Sequence, residues 1–594
     1  MRSLLNRWVV TLAAVFAVTG LAQAVNADSI KSTDSIKEDA ILELNMVKEI
    51  FANGYAPAQW KNKTFGWDLD TEIQKAQAAL EQKKDLTIKD YRAIMKDFFR
   101  STKDYHVGVH FYSTESAKLP FRVAGTQGRY FIVWIDRAKL SEDQFPFNVG
   151  DEILEFGGEP VAKVVASLKT ENAWSVSETD EALAQLTLTS RRASRGTEVP
   201  QGAVEIKVKQ DDKIKTYQMI WEYTPEEIFS NQIMSQKQPQ SVVDRVFKKN
   251  MLWSGFKDQT ALAEDEAEQD SNPNIWDIGG KKSWVPTLGT KIWESDSKSI
   301  LDAYIYKDEA GKVIGYVRMP HYVGGYPAFK EFKEVIKRFE SSTDALVIDE
   351  VNNPGGSVFY LYALTSVLAT EPAFNPKHQT TLVPSMVKEA VDMIKDLENV
   401  KTDKDAQKVF ASWGSVENTI DGYPINYELA QFALNYTRFV KSEWQAGRKL
   451  TVPYFLWAVD RTNPDKDVNY TKPILVLVNE LCFSGGDFFP SILQDNKRAK
   501  IFGVRTSGAG GYVDEVSFPS RLGLESFSYT GSIAYRIGNE PIENLGVTPD
   551  IGYELTPEDF MKGYKGYKAA VGKAVNDLLA APPAKSTPIQ PAKP

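Results

Sequence analysis

Cysteine is almost absent, with one residue, Cys482, in a chain of 594. A single thiol excludes an intramolecular disulfide and any metal site built from several thiolates. Histidine is nearly as scarce. His106, His110, His321 and His378 are the whole set, which leaves little room for a His-rich metal centre. Excess positive charge is missing too: 70 basic residues face 79 acidic ones, net −9, with no basic run suited to nucleic acid. After the amino terminus no apolar run is long enough to cross a bilayer, and no repeat of about 20–50 residues recurs. What remains is ordinary globular composition, 42% hydrophobic and 25% charged, which excludes a disordered, collagen-like or coiled-coil chain. The length predicts about three or four domains with ample core. The chemistry must therefore lie in a few local stretches.

The first of these is a targeting signal. Arg2 and Arg7 precede the apolar run Trp8–Ala22, and small residues follow in Ala22-Gln23-Ala24 and Val25-Asn26-Ala27. The apolar run is short for a span of about twenty residues and has the layout of a cleaved export signal. Residues 1–27 are therefore expected to direct export, to the periplasm or beyond, with no stable membrane anchor.

Residues 28–115 read as a helical region ending in strand. Ile36–Ile50, Leu69–Gln82 and Ile88–Phe99 carry apolar residues at three- and four-residue spacings, whereas Val107–Tyr112 and Tyr130–Ile135 read as strands. Residues 116–224 contain Val149–Val161, in which Gly150, Asp151, Ile153, Gly158 and Val161 resemble the signature of PDZ domains. A β-hairpin with Gly-Gly at its turn is the plainer alternative. Residues 225–290 look like a poorly packed connector, Gln/Ser/Pro-rich over Gln232–Gln240 and acidic over Ala261–Asn274. Regular structure is expected again over 291–579, and 580–594 is a Pro/Ala/Lys-rich tail.

Two strand–loop–helix units carry the chemical signal. In the first, the apolar strand Ala345–Ile348 runs into Asn352-Asn-Pro-Gly-Gly356, and a helix starts at Ser357. Consecutive glycines ahead of a helix can turn backbone N–H groups toward an anion or an oxyanion. In the second, the wholly apolar strand Ile474–Val478 leads to Ser484, which heads another helix. Ser484 with Asp487 also fits a capping box, so a nucleophile and a helix cap compete as readings.

The two units, with the later Gly546-Val-Thr-Pro-Asp550, resemble in order the signature stretches of the C-terminal-processing (tail-specific) serine peptidases. A PDZ-like segment ahead of them is also that family's arrangement. The resemblance implies a multidomain α/β (α+β) protein with a crotonase-like ββα-type catalytic core, a helical amino-terminal region and a PDZ-like domain. Most members use a lysine base about 25 residues after the serine, yet Ala509 stands there in Gly503–Tyr512. Alanine accepts no proton.

A histidine could replace it, since its unperturbed pKa lies near neutrality. Lys103-Asp-Tyr-His-Val-Gly-Val-His-Phe-Tyr112 looks closely like the base-bearing segment of a Ser–His–Glu branch of the family. The likeness extends to Tyr55–Trp60, Gly66–Leu69, Trp293-Glu294, Asn353–Tyr362, Asp487–Pro490 and Gly508–Tyr512. It implies His106 as base, Ser484 as nucleophile and Glu543 as acid, the acid fixing the imidazole tautomer and stabilising its cation. Gly355, Gly356 and Gly485 are the backbone candidates for the oxyanion hole, and Asp104 is a candidate to orient His106 from beside it. His106 and His110 do not form a metal pair: four residue steps of strand, at about 3.3 Å each, set them about 13 Å apart. No metal or cofactor is expected. Cys482, two residues before Ser484, is expected to serve packing.

The expectation is thus a serine endopeptidase acting on polypeptides. The branch it resembles also implies a zymogen cut within residues 225–290 and a homodimer. A catalytically inactive PDZ-type peptide-binding scaffold and a small-molecule esterase or amidase remain as alternatives, the latter weakened by the absence of a G-x-S-x-G elbow.

Overall fold

The structure, a computed structural model, describes residues 33–171, 174–227, 274–415 and 417–581. The expected export signal, most of the connector and nearly all of the carboxy-terminal tail lie outside the described residues. Among the described residues no helix is long and apolar enough to cross a membrane.

Among the described residues four helices come first: Thr33–Gly54, Ala58–Phe65, Leu69–Gln82 and Ile88–Ser101. The last starts at a capping box between Thr87 and Asp90 and buries Tyr91, Ile94, Met95, Phe98 and Phe99 along one face. That face does not close on the other helices alone. It packs with Phe518, Leu522, Leu524, Phe527 and Tyr529 from late in the chain. The strand Val109–Phe111, just after His106, pairs antiparallel with Leu524–Thr530. The amino-terminal region and the core thereby share one sheet.

The segment read as PDZ-like is an antiparallel sheet built from Phe121–Thr126, Arg129–Ile135, Glu152–Phe156, Ala203–Gln210 and Lys213–Ile220. Gly157 and Gly158 take φ of +64° and +80° at its hairpin turn, a backbone shape that favours glycine. The helices Val161–Glu171 and Ser177–Thr189 supply the buried residues Val165, Leu168, Ala184 and Leu188 to the core under this sheet.

The core sheet has seven strands, in the order Thr290–Glu294, Ala303–Lys307, Val313–Arg318, Ala345–Asp349, Ile474–Val478, Lys500–Gly503 and Ile551–Gly552. The first two pairings are antiparallel and the rest parallel. Ala345–Asp349 and Ile474–Val478 are buried at every position, as strands covered on both faces must be. Between these two strands the chain inserts the helices Pro384–Leu397, Asp403–Ser412 and Tyr427–Gln445, which form a second apolar core against Phe359 and Tyr362. The mixed α/β architecture agrees with the expectation, although the sequence did not mark this helical insertion as a unit.

Candidate active site

The two chemical units are neighbours in the sheet. Leu346 pairs with Ile474 and Asp349 with Leu477, in parallel, so the loops that follow leave the same edge. Reciprocal hydrogen bonds tie them: Asn352 N–H donates to Asn479 Oδ1 at 2.8 Å, Asn479 Nδ2 to Asn352 Oδ1 at 2.8 Å, and Phe483 N–H to Asn353 O at 2.9 Å. The loops approach so closely that a Cβ on Gly355, at φ +101°, would stand 2.7 Å from Ser484 Cβ. Only glycine fits there.

The amides around Ser484 are not equivalent. The Gly355 N–H donates to Asn353 Oδ1 at 2.7 Å, so in this arrangement it is not free for an oxyanion, contrary to its place among the three expected donors. The Gly356 and Gly485 N–H groups have no acceptor among the described residues. They are adjacent, with Gly356 N 3.1 Å from where a Cβ of Gly485 would lie. Two free amides therefore flank the serine.

Ser484 sits at the junction of the strand loop and the helix Gly485–Asp495 with φ +54° and ψ −112°. A non-glycine residue held in such a conformation stores strain that the surrounding packing must impose. Its hydroxyl is buried, makes no cap hydrogen bond and has no partner. The capping-box reading fails for a second reason. Asp487 turns away and accepts from the hydroxyls of Thr506 and Ser507 and the amides of Gly508 and Ala509. Burial lifts the Asp487 carboxyl to about 6 in spite of these bonds.

Ala509, where a family lysine would be expected, is fully buried in an apolar cluster with Ala182, Leu481 and Phe483. Tyr105 packs against that cluster, its ring 5.6 Å from the Phe483 ring and edge-on to it. The residue before His106 thus meets the residue before Ser484. Both His106 ring nitrogens are inaccessible and have no hydrogen-bond partner. Burial pushes the imidazole down to about 4, with Asp104 opposing and Lys61 assisting the shift. A neutral imidazole at neutral pH is the form a general base requires.

Asp104 does not orient the ring. It accepts from the His106 backbone N–H at 2.9 Å, Tyr55 Oη at 3.0 Å and Thr530 Oγ1 at 2.8 Å. Glu543 makes no hydrogen bond to the imidazole either. Its Oε2 accepts from Gly510 N–H at 3.0 Å, and its Oε1 is paired with the ammonium of Lys61. Burial and the charge of Asp104 push the Glu543 carboxyl up to about 8, against the opposing pull of Lys61 and the Gly510 amide. Lys61 is a site residue that sequence reasoning missed. It follows the Tyr55–Trp60 likeness directly, but nothing in its spacing distinguishes it from the nearby Lys63.

The remaining candidates have other employment. His110 Nδ1 pairs with Glu525 Oε2 at 2.9 Å, His321 Nδ1 accepts from Val323 N–H at 3.3 Å, and His378 Nδ1 pairs with Ser532 Oγ at 3.0 Å while its ring stacks on Phe488. Cys482 is fully buried beside the Glu350 carbonyl, and burial raises its thiol well above the usual range, which suits packing rather than nucleophilic attack. Among the described residues no group of three or more His, Cys, Asp or Glu is placed to hold a metal ion.

This arrangement of loops is that of a known class. Residues 313–553 match peptidase family S41, and residues 115–228 match a PDZ domain. A protein of Chlamydia muridarum is 35% identical over 91% of this chain and 93% of its own, and one of Chlamydia trachomatis is 34% identical over 91% and 93%. The solved structure of mature CPAF complexed with lactacystin is 34% identical, covers 92% of this chain and 99% of its own, and superposes with a TM-score of 0.78. The chain belongs to the S41, C-terminal-processing serine peptidases, and within them it is CPAF-like. It is a serine peptidase with a PDZ domain.

Proposed function

We propose that the chain is an exported endopeptidase that cleaves polypeptides through an acyl-enzyme on Ser484, is made as a zymogen and works as a homodimer. The observation that carries the catalytic reading is the strained, unpartnered Ser484 hydroxyl beside the free amides of Gly356 and Gly485. In the reaction, His106 takes the Ser484 proton as Oγ bonds to the scissile carbonyl carbon. The Gly356 and Gly485 amides receive the oxyanion, and the imidazolium returns the proton to the leaving amine. Water then attacks the acyl-enzyme by the same route and regenerates the serine. Glu543 makes no direct bond to the imidazole; it acts through its pairing with Lys61 and its bond from the Gly510 amide.

The zymogen reading is supported by how enclosed the serine is, 1% exposed. Ile278, in the carboxy-terminal part of the 225–290 connector, packs against the cluster of Leu481, Phe483 and Ala509. Asn352 Nδ2 donates to Trp276 O at 3.1 Å and Gly279 N–H to Asn352 O at 2.8 Å. This segment covers the apolar cluster that includes Phe483, next to Ser484, and its release would uncover that side of the site. Mature CPAF is the form in the similar solved structure, and the expected export signal agrees with action outside the cytoplasm.

The test is a fluorophosphonate probe and casein offered to the chain cut within residues 225–290, and to Ser484→Ala and His106→Ala cut in the same way. Labelling and cleavage that both variants abolish are expected. Equal behaviour of the chain and Ser484→Ala would sink the reading, and a fully active His106→Ala would remove the base.

A further inference from the structure

Lys61 is the one participant at the site for which the catalytic set has no use. It lies on the helix Ala58–Phe65, and its side chain is completely enclosed. Its ammonium reaches three acceptors: the Glu543 carboxylate, Asn544 Oδ1 at 2.8 Å and Lys103 O at 2.7 Å. An ammonium has three N–H donors and no acceptor, so all three are used.

These acceptors come from the two turns that matter. Lys103, at φ +56°, begins the turn that carries His106, and Glu543 with Asn544, at φ +63°, forms the turn that carries the acid. Asn544 strengthens the junction. Its Oδ1 also accepts from Trp60 Nε1 at 3.0 Å, and its Nδ2 donates to Lys103 O at 2.7 Å and to Ser175 Oγ at 2.9 Å. A buried ion pair adds little net stability over apolar packing of the same volume. Fold stability alone therefore gives no reason for a charge here.

Resting on Ser484, His106 and Glu543 as the catalytic set, we propose that Lys61 is a positioning residue for that reaction: its ammonium clamps the His106 turn to the Glu543 turn and sets the charge that the imidazole feels. The charged groups facing His106 are Lys61, which disfavours the imidazolium, and Asp104, which favours it. Behind them stand Glu543 on Lys61, Tyr55 on Asp104, and Asp180 on Tyr105. Lys61 is not itself a base, because a group donating three hydrogen bonds as an ammonium has no lone pair to offer Ser484.

The test compares the chain cut within residues 225–290 with Lys61→Met, Lys61→Gln and Lys61→Arg cut in the same way, reading kcat and KM on casein-derived peptides and probe labelling across pH. Each neutral variant is expected to lose about 100-fold in kcat with KM nearly unchanged, the cost of a small misplacement of reacting groups. The acid limb of kcat/KM should also move to higher pH, because the imidazole no longer faces a cation. Lys61→Arg keeps the charge and should leave that limb in place. Folded neutral variants with unaltered kcat and an unmoved limb overturn the proposal. If the neutral variants do not fold, Lys61→Arg decides. A kcat about tenfold lower at constant KM supports the clamp, since a planar fork cannot reproduce three converging bonds, and an unaltered kcat overturns it. A wild-type chain that the probe does not label at Ser484 fails the catalytic reading as a whole, whereas a labelled wild type with unaffected variants fails this proposal alone.

Discussion

The Tyr105 ring meets the Phe483 ring edge-on at 5.6 Å, so the residues preceding His106 and Ser484 brace each other across some 380 residues of chain. The Tyr105 hydroxyl is held as well: it donates to Asp180 Oδ1 at 2.9 Å and accepts from Val176 N–H at 3.0 Å. The PDZ domain thus grips the turn of the base through the start of its helix Ser177–Thr189. Tyr105→Phe keeps the ring contact and removes that grip. It should cost about 1–3 kcal/mol, because Asp180 and the Val176 amide lose a buried partner, and kcat should fall more than KM rises. Thermal melts and steady-state kinetics on the one variant check both.

The oxyanion assignment is tested by adding one methyl group. A Cβ on Gly356 would lie 2.3 Å from Tyr322 O, at φ +144°, and one on Gly485 would lie 2.8 Å from Tyr322 Cδ2 and 3.0 Å from Gly355 Cα. Both substitutions force the paired loops apart and move the free amides off the carbonyl oxygen. Losing one oxyanion donor costs about 10²–10³ in kcat, and each variant should show at least that loss in acylation rate by the fluorophosphonate probe. Gly158→Ala, at a hairpin turn with open space around it, should leave acylation unchanged.

How much of this could be read beforehand depends on how local the cause is. Ile474–Val478 is a buried central strand, as five successive apolar residues, three of them β-branched, suit a strand covered on both faces, and Ser357 caps its helix with its own hydroxyl on the Tyr360 amide. The pairing of Val109–Phe111 with Leu524–Thr530 joins segments some 415 residues apart, and no local pattern announces it. The capping-box spacing of Ser484 and Asp487 misled for the same reason. Asp487 finds four donors in the 506–509 loop, and that tertiary bonding outweighs a cap. Lys61 was invisible because its three acceptors come from two distant turns.

Restoring the usual family base should fail. The Ala509 methyl lies in an apolar cluster with Leu481 and Phe483, and its amide is committed to Asp487. A lysine there would bring an ammonium into apolar surroundings, an expense of several kcal/mol unless it pairs or loses its proton. Ala509→Lys should lower the melting temperature clearly, and His106→Ala with Ala509→Lys should stay unlabelled by the probe. Recovered labelling in the double variant would show that the lysine geometry survives in this chain and that His106 is dispensable.

The buried imidazoles give the pH dependence a definite sign. His106 is lowered to about 4 and His378 to about 3, both by burial, from an unfolded value near 6.5. In catalysis the neutral imidazole is the base, so kcat/KM should rise through pH of about 4 and be flat by neutrality, well below the limb of an unperturbed histidine. For stability, the unfolded chain binds the extra protons first as pH falls. The folded state is therefore favoured fully above about 6.5 and loses that advantage as pH drops toward 4. His378 lies against Phe488 with a single partner, Ser532. It contributes to this loss without entering the reaction, so His378→Gln should reduce the acid-induced drop in melting temperature while leaving the kinetic limb where it was. A kinetic limb that moved with His378→Gln would mean that the limb reports unfolding rather than His106, and the assignment of the base from pH would fall.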